Sequence, residues 1–289
     1  MPSFAQHLLD RWHHRYWHPE AATAAFASLS PVTVVTGASE GIGRALAGEF
    51  ARAGSDLLLV ARNANALAKV AAELASTAVA VRTLAADLAT ETGCASIEAA
   101  LASAGAYCDV LVNDAGIGLG GPFVGQSRQD LHRLLDLNIG AVTDLTSRFL
   151  PGMLVRGEGG ILNVASLGGL APGPNQAAYY ASKAYVISLT EALADEVAGQ
   201  GVRISALVPG PVATMFHARS GTEHSYHLTL IGVMSPEAVA RAGFRGFRQW
   251  RTLVFPGLLN HINAVALRFL PHRLIIPVIG WMLRQRQAG

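Results

Sequence analysis

Charge is scarce in this chain: 20 acidic and 22 basic residues among 289, a net +2. So weak and balanced a field gives no basis for holding nucleic acid. Cysteine is scarcer still, Cys94 and Cys108 being the only two. Without a secretory leader, such a pair is expected as free thiols in a reducing cytosol. The first residues lack the basic start and unbroken apolar stretch of a leader, Asp10 and Arg11 interrupting early, so a cytoplasmic location is expected. Long apolar runs are missing as well. The uncharged stretches 161–182 and 252–267 are broken by Gly, Pro, Asn or His, and neither matches the ~20 apolar residues of a membrane-spanning helix. His14 and His18 stand one helical turn apart, but no nearby acid or thiol completes a ligand set, and no metal is expected. What the chain does have is hydrophobic residues, 51% of the total, enough for a sizeable core.

From residue 31 onward, short β-branched runs alternate with Ala/Leu-rich helical runs. Strands are predicted at Val32–Thr36, Asp56–Ala61, Ala78–Leu84, Asp109–Asn113, Ile161–Ala165 and Val202–Val208, with a weaker one at Arg251–Phe255. Helices are predicted at Arg44–Ala53, Ala64–Ser76, 91–104, 127–150, Ala178–Ala198 and 236–249. Near-continuous apolar strands alternating with helices imply a parallel sheet covered on both faces. The expected fold is therefore α/β: one Rossmann-like doubly wound domain over residues 31–255 with a seven-stranded parallel sheet. Helical extensions are expected at 1–30 and 256–289.

Tyr179 and Lys183 lie four residues apart in Ala178-Tyr179-Tyr180-Ala181-Ser182-Lys183, so a helix puts both on one face. A phenol with its usual pKa of about 10 is a poor acid-base catalyst at neutral pH. A nearby ammonium stabilises the phenolate and lowers that value. Ser166, thirteen residues upstream, ends the apolar run Ile161–Ala165 and is placed to hold a carbonyl oxygen beside the phenol. The three side chains suit proton movement on an oxygen while a hydride moves on its carbon.

The first predicted strand runs into Thr36-Gly37-Ala38-Ser39-Glu40-Gly41-Ile42-Gly43-Arg44. Glycines permit a tight turn and close backbone approach, and the following helix offers unpaired amides and a positive dipole end to a pyrophosphate. The spacing is Gly-x-x-x-Gly-x-Gly, not the commoner Gly-x-Gly-x-x-Gly. At the end of the second strand an NAD site typically carries an acid for the ribose 2′-hydroxyl. Here Ala61 takes that place and Arg62 follows. A guanidinium suits a 2′-phosphate, so NADP is the expected cofactor, with Ser39 and Arg44 as further phosphate contacts.

These motifs, in this order, resemble the short-chain dehydrogenase/reductase family over about residues 31–255. Thr36–Gly43 is similar to its Thr-Gly-x-x-x-Gly-x-Gly loop. The resemblance gives Asp87-Leu88 the acid that contacts the adenine. It places Asn113-Asp114-Ala115-Gly116 at the end of the fourth strand, and Asn138 beside Ser166, Tyr179 and Lys183 in a catalytic tetrad. Pro209-Gly210-Pro211-Val212-Ala213-Thr214 resembles the turn beside the nicotinamide. The implied cofactor contacts are Gly37, Ser39, Glu40, Gly41, Ile42, Gly43, Arg62, Asp87, Leu88, Asn113, Ala115, Gly116, Tyr179, Lys183, Pro209, Gly210, Val212 and Thr214. One departure is Asp114, where the family usually has a second Asn that braces the sheet. An Asp accepts the same bonds without donating, so a modest effect on stability and none on chemistry is expected. Tyr180 is read as packing.

The implied activity is NADP(H)-dependent interconversion of a carbonyl and a secondary alcohol. The alternative is a catalytically silent NADP-binding sensor or scaffold. The resemblance also implies a homodimer or homotetramer joined through the helices containing Asn138 and Tyr179, and a substrate lid over 215–235. In the C-terminal extension, Leu258, Leu259, Ile262, Val265, Phe269, Ile275, Ile276, Val278, Ile279 and Trp281 recur at helical spacing. Packing on the body or a partner subunit, a wall for an apolar acyl- or steroid-like substrate, and peripheral contact with an anionic membrane through Arg268, Arg273, Arg284 and Arg286 all remain open. Phe4, Leu8, Leu9, Trp12 and Tyr16 also follow helical spacing, with Pro19 as the stop.

Overall fold

A computed structural model describes residues 23–226, 228 and 232–284. The helix expected before Pro19, with His14 and His18, lies outside them. Seven parallel strands form one sheet in the order β3-β2-β1-β4-β5-β6-β7. They are β1 Ser30–Thr36, β2 Leu57–Ala61, β3 Val81–Ala85, β4 Ala106–Asn113, β5 Gly160–Val164, β6 Arg203–Leu207 and β7 Leu253–Val254. The order reverses between β1 and β4, which opens a crevice beyond the carboxyl ends of these strands.

Alternation along the strands divides the core between the two faces. Val34, Val60 and Leu111 face one side, with Ile97, Leu145 and Met153. Val35, Leu59 and Val112 face the other, with Leu46, Leu67 and Phe247. The first side is covered by α3 (Glu91–Ser103), α5 (Ala141–Arg156) and α6 (Ala177–Glu196), the second by α1 (Gly41–Arg52), α2 (Ala64–Leu74) and α8 (Pro236–Arg248). Phe50 of α1 meets Phe244 and Phe247 of α8 edge-on at 4.9 and 6.1 Å, a geometry worth about 0.5–1.5 kcal/mol per pair beyond area burial. Side-chain oxygens cap several helices: Asn63 accepts from the Ala66 amide, Thr90 from Gly93 and Ser235 from Ala238.

Strand β3 begins three residues later than the sequence reading and α1 three residues earlier, and three further differences have a structural cause. Strand β4 begins at Ala106 rather than Asp109, because Asp109 sits in a bulge where the register with β1 shifts between Val32 and Thr33. The single helix expected over 127–150 is α4 (Arg128–Leu135), a π-turn (Asp136–Gly140) and α5. Helix α5 runs on through Pro151 to Arg156. Buried Met153 holds the extra turn to the core, and Gly157 at φ +69° ends it, its N–H returning to the Leu154 carbonyl. Arg156 then donates to the Cys108 carbonyl at 2.9 Å and lies over the rings of Phe26 and Tyr107.

Past the sheet, α9 (Leu258–Phe269) and α10 (His272–Met282) fold back onto the body. Their stripe is split. Asn260, Ala264, Ile275 and Ile279 are buried, whereas Leu258, Leu259, Ile262, Phe269, Leu274 and Val278 are exposed. Among the described residues, no helix is long and apolar enough to cross a membrane.

Candidate active site

Thr36 closes the crevice floor. Its hydroxyl donates to the Val112 carbonyl and accepts the amides of Asp114 and Ala115 at 3.0 and 3.2 Å, locking the end of β1 to the end of β4. The chain then turns at Gly37, φ +67°, where a Cβ would lie 2.9 Å from the Ala115 nitrogen. At Gly43 a Cβ would lie 2.5 Å from the Gly37 carbonyl oxygen. Only glycine fits either place. Glu40 holds the N-cap position of α1 without capping it. Its carboxylate instead pairs with both terminal nitrogens of Arg219, which belongs to the short helix α7 (Phe216–Arg219). The amides of Gly41 and Ile42 thus open the twelve-residue α1 without a side-chain cap, and this glycine cradle fits a dinucleotide pyrophosphate. Ser39 is half-buried in the loop. Arg44, expected to reach phosphate, pairs with Glu73 at 2.8 Å because α2 lies alongside.

Beyond β2 and β3, exposed Arg62 lies near Asp87, while Leu88 is buried. Burial pushes the Asp87 carboxyl up. The bonds from Arg133 and the Ala89 amide, with the charges of Arg133 and Arg62, outweigh it and hold the group below its ordinary value. Arg133 contacts both Asp87 oxygens, at 2.9 and 3.2 Å.

On the other side of the crevice, Ser166 follows β5 and accepts the Gly168 amide at 3.1 Å. Its hydroxyl is also bonded to the Tyr179 phenol. Lys183, one turn further along α6, is buried and donates to the Val164 carbonyl at 2.8 Å. Its Nζ lies 6.0 Å from the Tyr179 ring centre. Asn138 sits in the π-turn: its Oδ1 accepts the Ile117 amide, and its Nδ2 donates to the Ile117 carbonyl and the Ser182 hydroxyl. A Cβ on Gly116 would stand 3.2 Å from Asn138 Oδ1 and 3.6 Å from Lys183 Nζ, so this glycine leaves room for both.

The charge states differ from expectation. Burial pushes the Tyr179 phenol up to about 12; the Ser166 hydrogen bond lowers it only in part, and Asp114 raises it further. Lys183 therefore does not bring the phenol into the neutral range in this structure, because desolvation wins. Burial likewise depresses the Lys183 ammonium, with Asp114 opposing that shift.

The Asn113 amide donates to Asn163 of β5 at 2.9 Å, and Asn163 donates to Thr190 of α6 at 2.9 Å. The sheet is thus braced by Asn113, whereas Asp114 turns toward the glycine loop and accepts the Gly43 amide. The Pro209 carbonyl accepts the Leu167 amide, and Gly210 presses against Asn260 of α9. Val212 bridges to Met234, and Thr214 accepts the Phe216 amide at 3.3 Å. The Phe216 ring centre then lies 5.3 Å from that of Tyr179. Tyr180 packs with Ile275, Ile279 and Leu283 of the tail, as expected of a packing residue. Trp281 stacks on Tyr226, in the segment expected to form a lid, at 5.3 Å. Residues 227 and 229–231 of the expected lid lie outside the described ones. Among the latter, no cluster of His, Cys, Asp or Glu has the makings of a metal site.

Residues 31–224 match the family model for short chain dehydrogenase. This chain belongs to the short-chain dehydrogenase family. A short-chain dehydrogenase from Sphingobium yanoikuyae, solved in complex with NADPH, is 34% identical, with 90% of this chain and 98% of that one covered and a TM-score of 0.74. Another, from Burkholderia phymatum and solved with NAD, is 28% identical over 86% and 95% of the two chains, with a TM-score of 0.75. Sulfoacetaldehyde reductase 2 of Chromohalobacter salexigens is 33% identical over 85% of this chain and 96% of its own.

For this short-chain dehydrogenase, the sequence reading missed Arg133, Asn163, Thr190 and Arg219, and named Trp281 only within the apolar stripe of the tail. Asn163 had a signal, a lone amide inside an apolar strand. The others had none, because their partners lie 27 or more residues away on other elements.

Proposed function

We propose that this short-chain dehydrogenase interconverts a carbonyl compound and a secondary alcohol using NADP(H), with an apolar ketone as substrate. The observation that carries the reading is the convergence of Ser166, Tyr179 and Lys183 at the carboxyl end of β5, across the crevice from the glycine cradle. Gly37, Gly41, Ile42 and Gly43 would hold the pyrophosphate, Asp87 and Leu88 the adenine, and Arg62 the 2′-phosphate. Gly116, Pro209, Gly210, Val212 and Thr214 would flank the nicotinamide. When bound, that group supplies or accepts a hydride.

The Tyr179 phenol, kept protonated at neutral pH, gives its proton to the substrate oxygen in reduction, while Ser166 holds that oxygen in line. Lys183 supports the phenol electrostatically as its proton leaves. Proton transfer of this kind is worth roughly 10²–10⁴ in rate. Phe216, Tyr180 and the inward face of α10 favour an apolar substituent beside the carbonyl. A role in the reducing cytosol agrees with two buried, free thiols, and assembly through α5 and α6 follows the family pattern.

The test is NADPH oxidation, followed at 340 nm, across acyl, steroid, aromatic and short polar ketones, repeated with NADH. Turnover of apolar ketones with NADPH preferred is expected. Tight NADPH binding without turnover of any ketone would instead favour a silent cofactor-binding protein.

A further inference from the structure

A helix resting on a core keeps its polar side for solvent; α9 and α10 do the reverse. On α9 the inward residues include Asn260 and Ala264. Leu258, Ile262, Val265 and Phe269 recur at the spacing of one helical face, and all four are exposed, Leu258 by 75% and Phe269 by 78%. On α10, Ile275 and Ile279 are buried against Tyr180, while Leu274 and Val278, one turn apart, are exposed. Two consecutive helices thus each turn an apolar stripe outward, the mark of a surface meant to be covered.

Charge decides what covers it. After Glu237 the chain carries eight arginines and no acidic residue, whereas up to Glu237 it holds 14 basic against 20 acidic residues. On the tail, Arg268, Arg273 and Arg284 are exposed. Helical spacing sets Arg268 about a quarter-turn from the α9 stripe and Arg273 about a quarter-turn from the α10 stripe. Arg268 also meets Glu191 of α6 at 3.5 Å, a loose exposed pair that water screens. A second copy of the chain would bring the same arginines to this face and no acidic side chain of the tail, like charge against like. An anionic bilayer answers both features: apolar side chains enter the headgroup boundary and guanidiniums meet lipid phosphates. The acidic remainder of the chain is held off the same surface, so approach is tail first.

We propose that α9 and α10 form a peripheral docking surface for an anionic lipid bilayer, with Ile262, Phe269 and Val278 entering the headgroup layer and Arg273 and Arg284 against lipid phosphates. Ile275 and Ile279 stay on the body, so docking needs no unfolding of the tail. The inference does not depend on the catalytic reading.

The test floats the full chain with vesicles of phosphatidylcholine alone, or with about one-third phosphatidylglycerol. Flotation with the anionic vesicles only, weakened by added salt, is expected. Ile262→Gln with Phe269→Gln should cut partitioning tenfold or more, and Arg273→Gln with Arg284→Gln by roughly fivefold for each charge. All four side chains are exposed, so circular dichroism should be unchanged. Failure to float with anionic vesicles overturns the proposal, as does equal binding to neutral ones or binding that survives both pairs of substitutions. A dimer seen by analytical ultracentrifugation and dissolved by Phe269→Gln, in a protein that ignores vesicles, overturns it in favour of a second copy.

Discussion

Replacing Asn138 by alanine removes three hydrogen bonds at once: from the Ile117 amide, to the Ile117 carbonyl and to the Ser182 hydroxyl. Asn138 is wholly buried, so the cavity left behind does not refill with solvent at the amide position itself. A buried main-chain group left without a partner costs about 1–3 kcal/mol. Ile117 is half-buried, so water recovers part of each loss, and the lower end applies to its two groups. The expected sum is about 2–3 kcal/mol, a large share of the 5–15 kcal/mol typical of a whole domain. Urea unfolding followed by circular dichroism measures it. Ser182→Ala, which loses one of these bonds, should cost about 1 kcal/mol. If Asn138→Ala unfolds within 0.5 kcal/mol of the parent, the amide does not tie the loop after β4 to α6, and this account of the site's rigidity fails.

Tyr179→Phe should lower turnover at least a hundredfold while NADPH affinity by calorimetry stays unchanged; near-normal turnover would remove the phenol from its role. Gly43→Ala forces a Cβ onto the Gly37 carbonyl and the Asp114 carboxylate, so dinucleotide affinity should fall tenfold or more by the same calorimetry. Arg62→Ala should weaken NADPH by about tenfold to a hundredfold and spare NADH, the worth of a charged hydrogen bond. Stability should decline as pH rises past about 9. Burial raises Cys94 to about 12 and Tyr179 to about 12, and also raises Cys108 and Tyr180. The folded state thus keeps protons that the unfolded chain releases from the ordinary thiol value upward. Lys183, depressed by burial, acts in the opposite sense below its ordinary value, one group against four. Thermal melts from pH 7 to 11 check the direction.

Much of the fold was legible because its central strands are buried on both faces and so read as apolar runs, as in Ile161–Ala165. What obscured β4 was Asp109, a charge in a bulge that made a strand look shorter than it is. The pause at 136–140 was hidden because a π-turn keeps helical composition. At the site, local motifs placed Ser166, Tyr179, Lys183 and the glycine loop in one crevice, since each lies at a strand end or on one helix face. Charge state was not legible. The spacing of Tyr179 and Lys183 says they are neighbours, but desolvation depends on how α6 packs and on Asp114, which approaches from another strand. Pairings such as Arg133 with Asp87 or Trp281 with Tyr226 exist only once the crossovers are made.

The C-terminal tail makes its contacts with Tyr180, Pro174, Tyr226 and, through Asn260, Gly210. All belong to the half of the crevice fed by β5 and β6, opposite the glycine cradle. On the proposed function, the tail would therefore shape the substrate side of the crevice, while the loops after β1 and β2 face the nucleotide. Changing Trp281 of α10, which faces Tyr226, would then be the place to redirect which molecules are admitted, with the buried Asn260, Ala264, Ile275 and Ile279 left to hold the ending on the body.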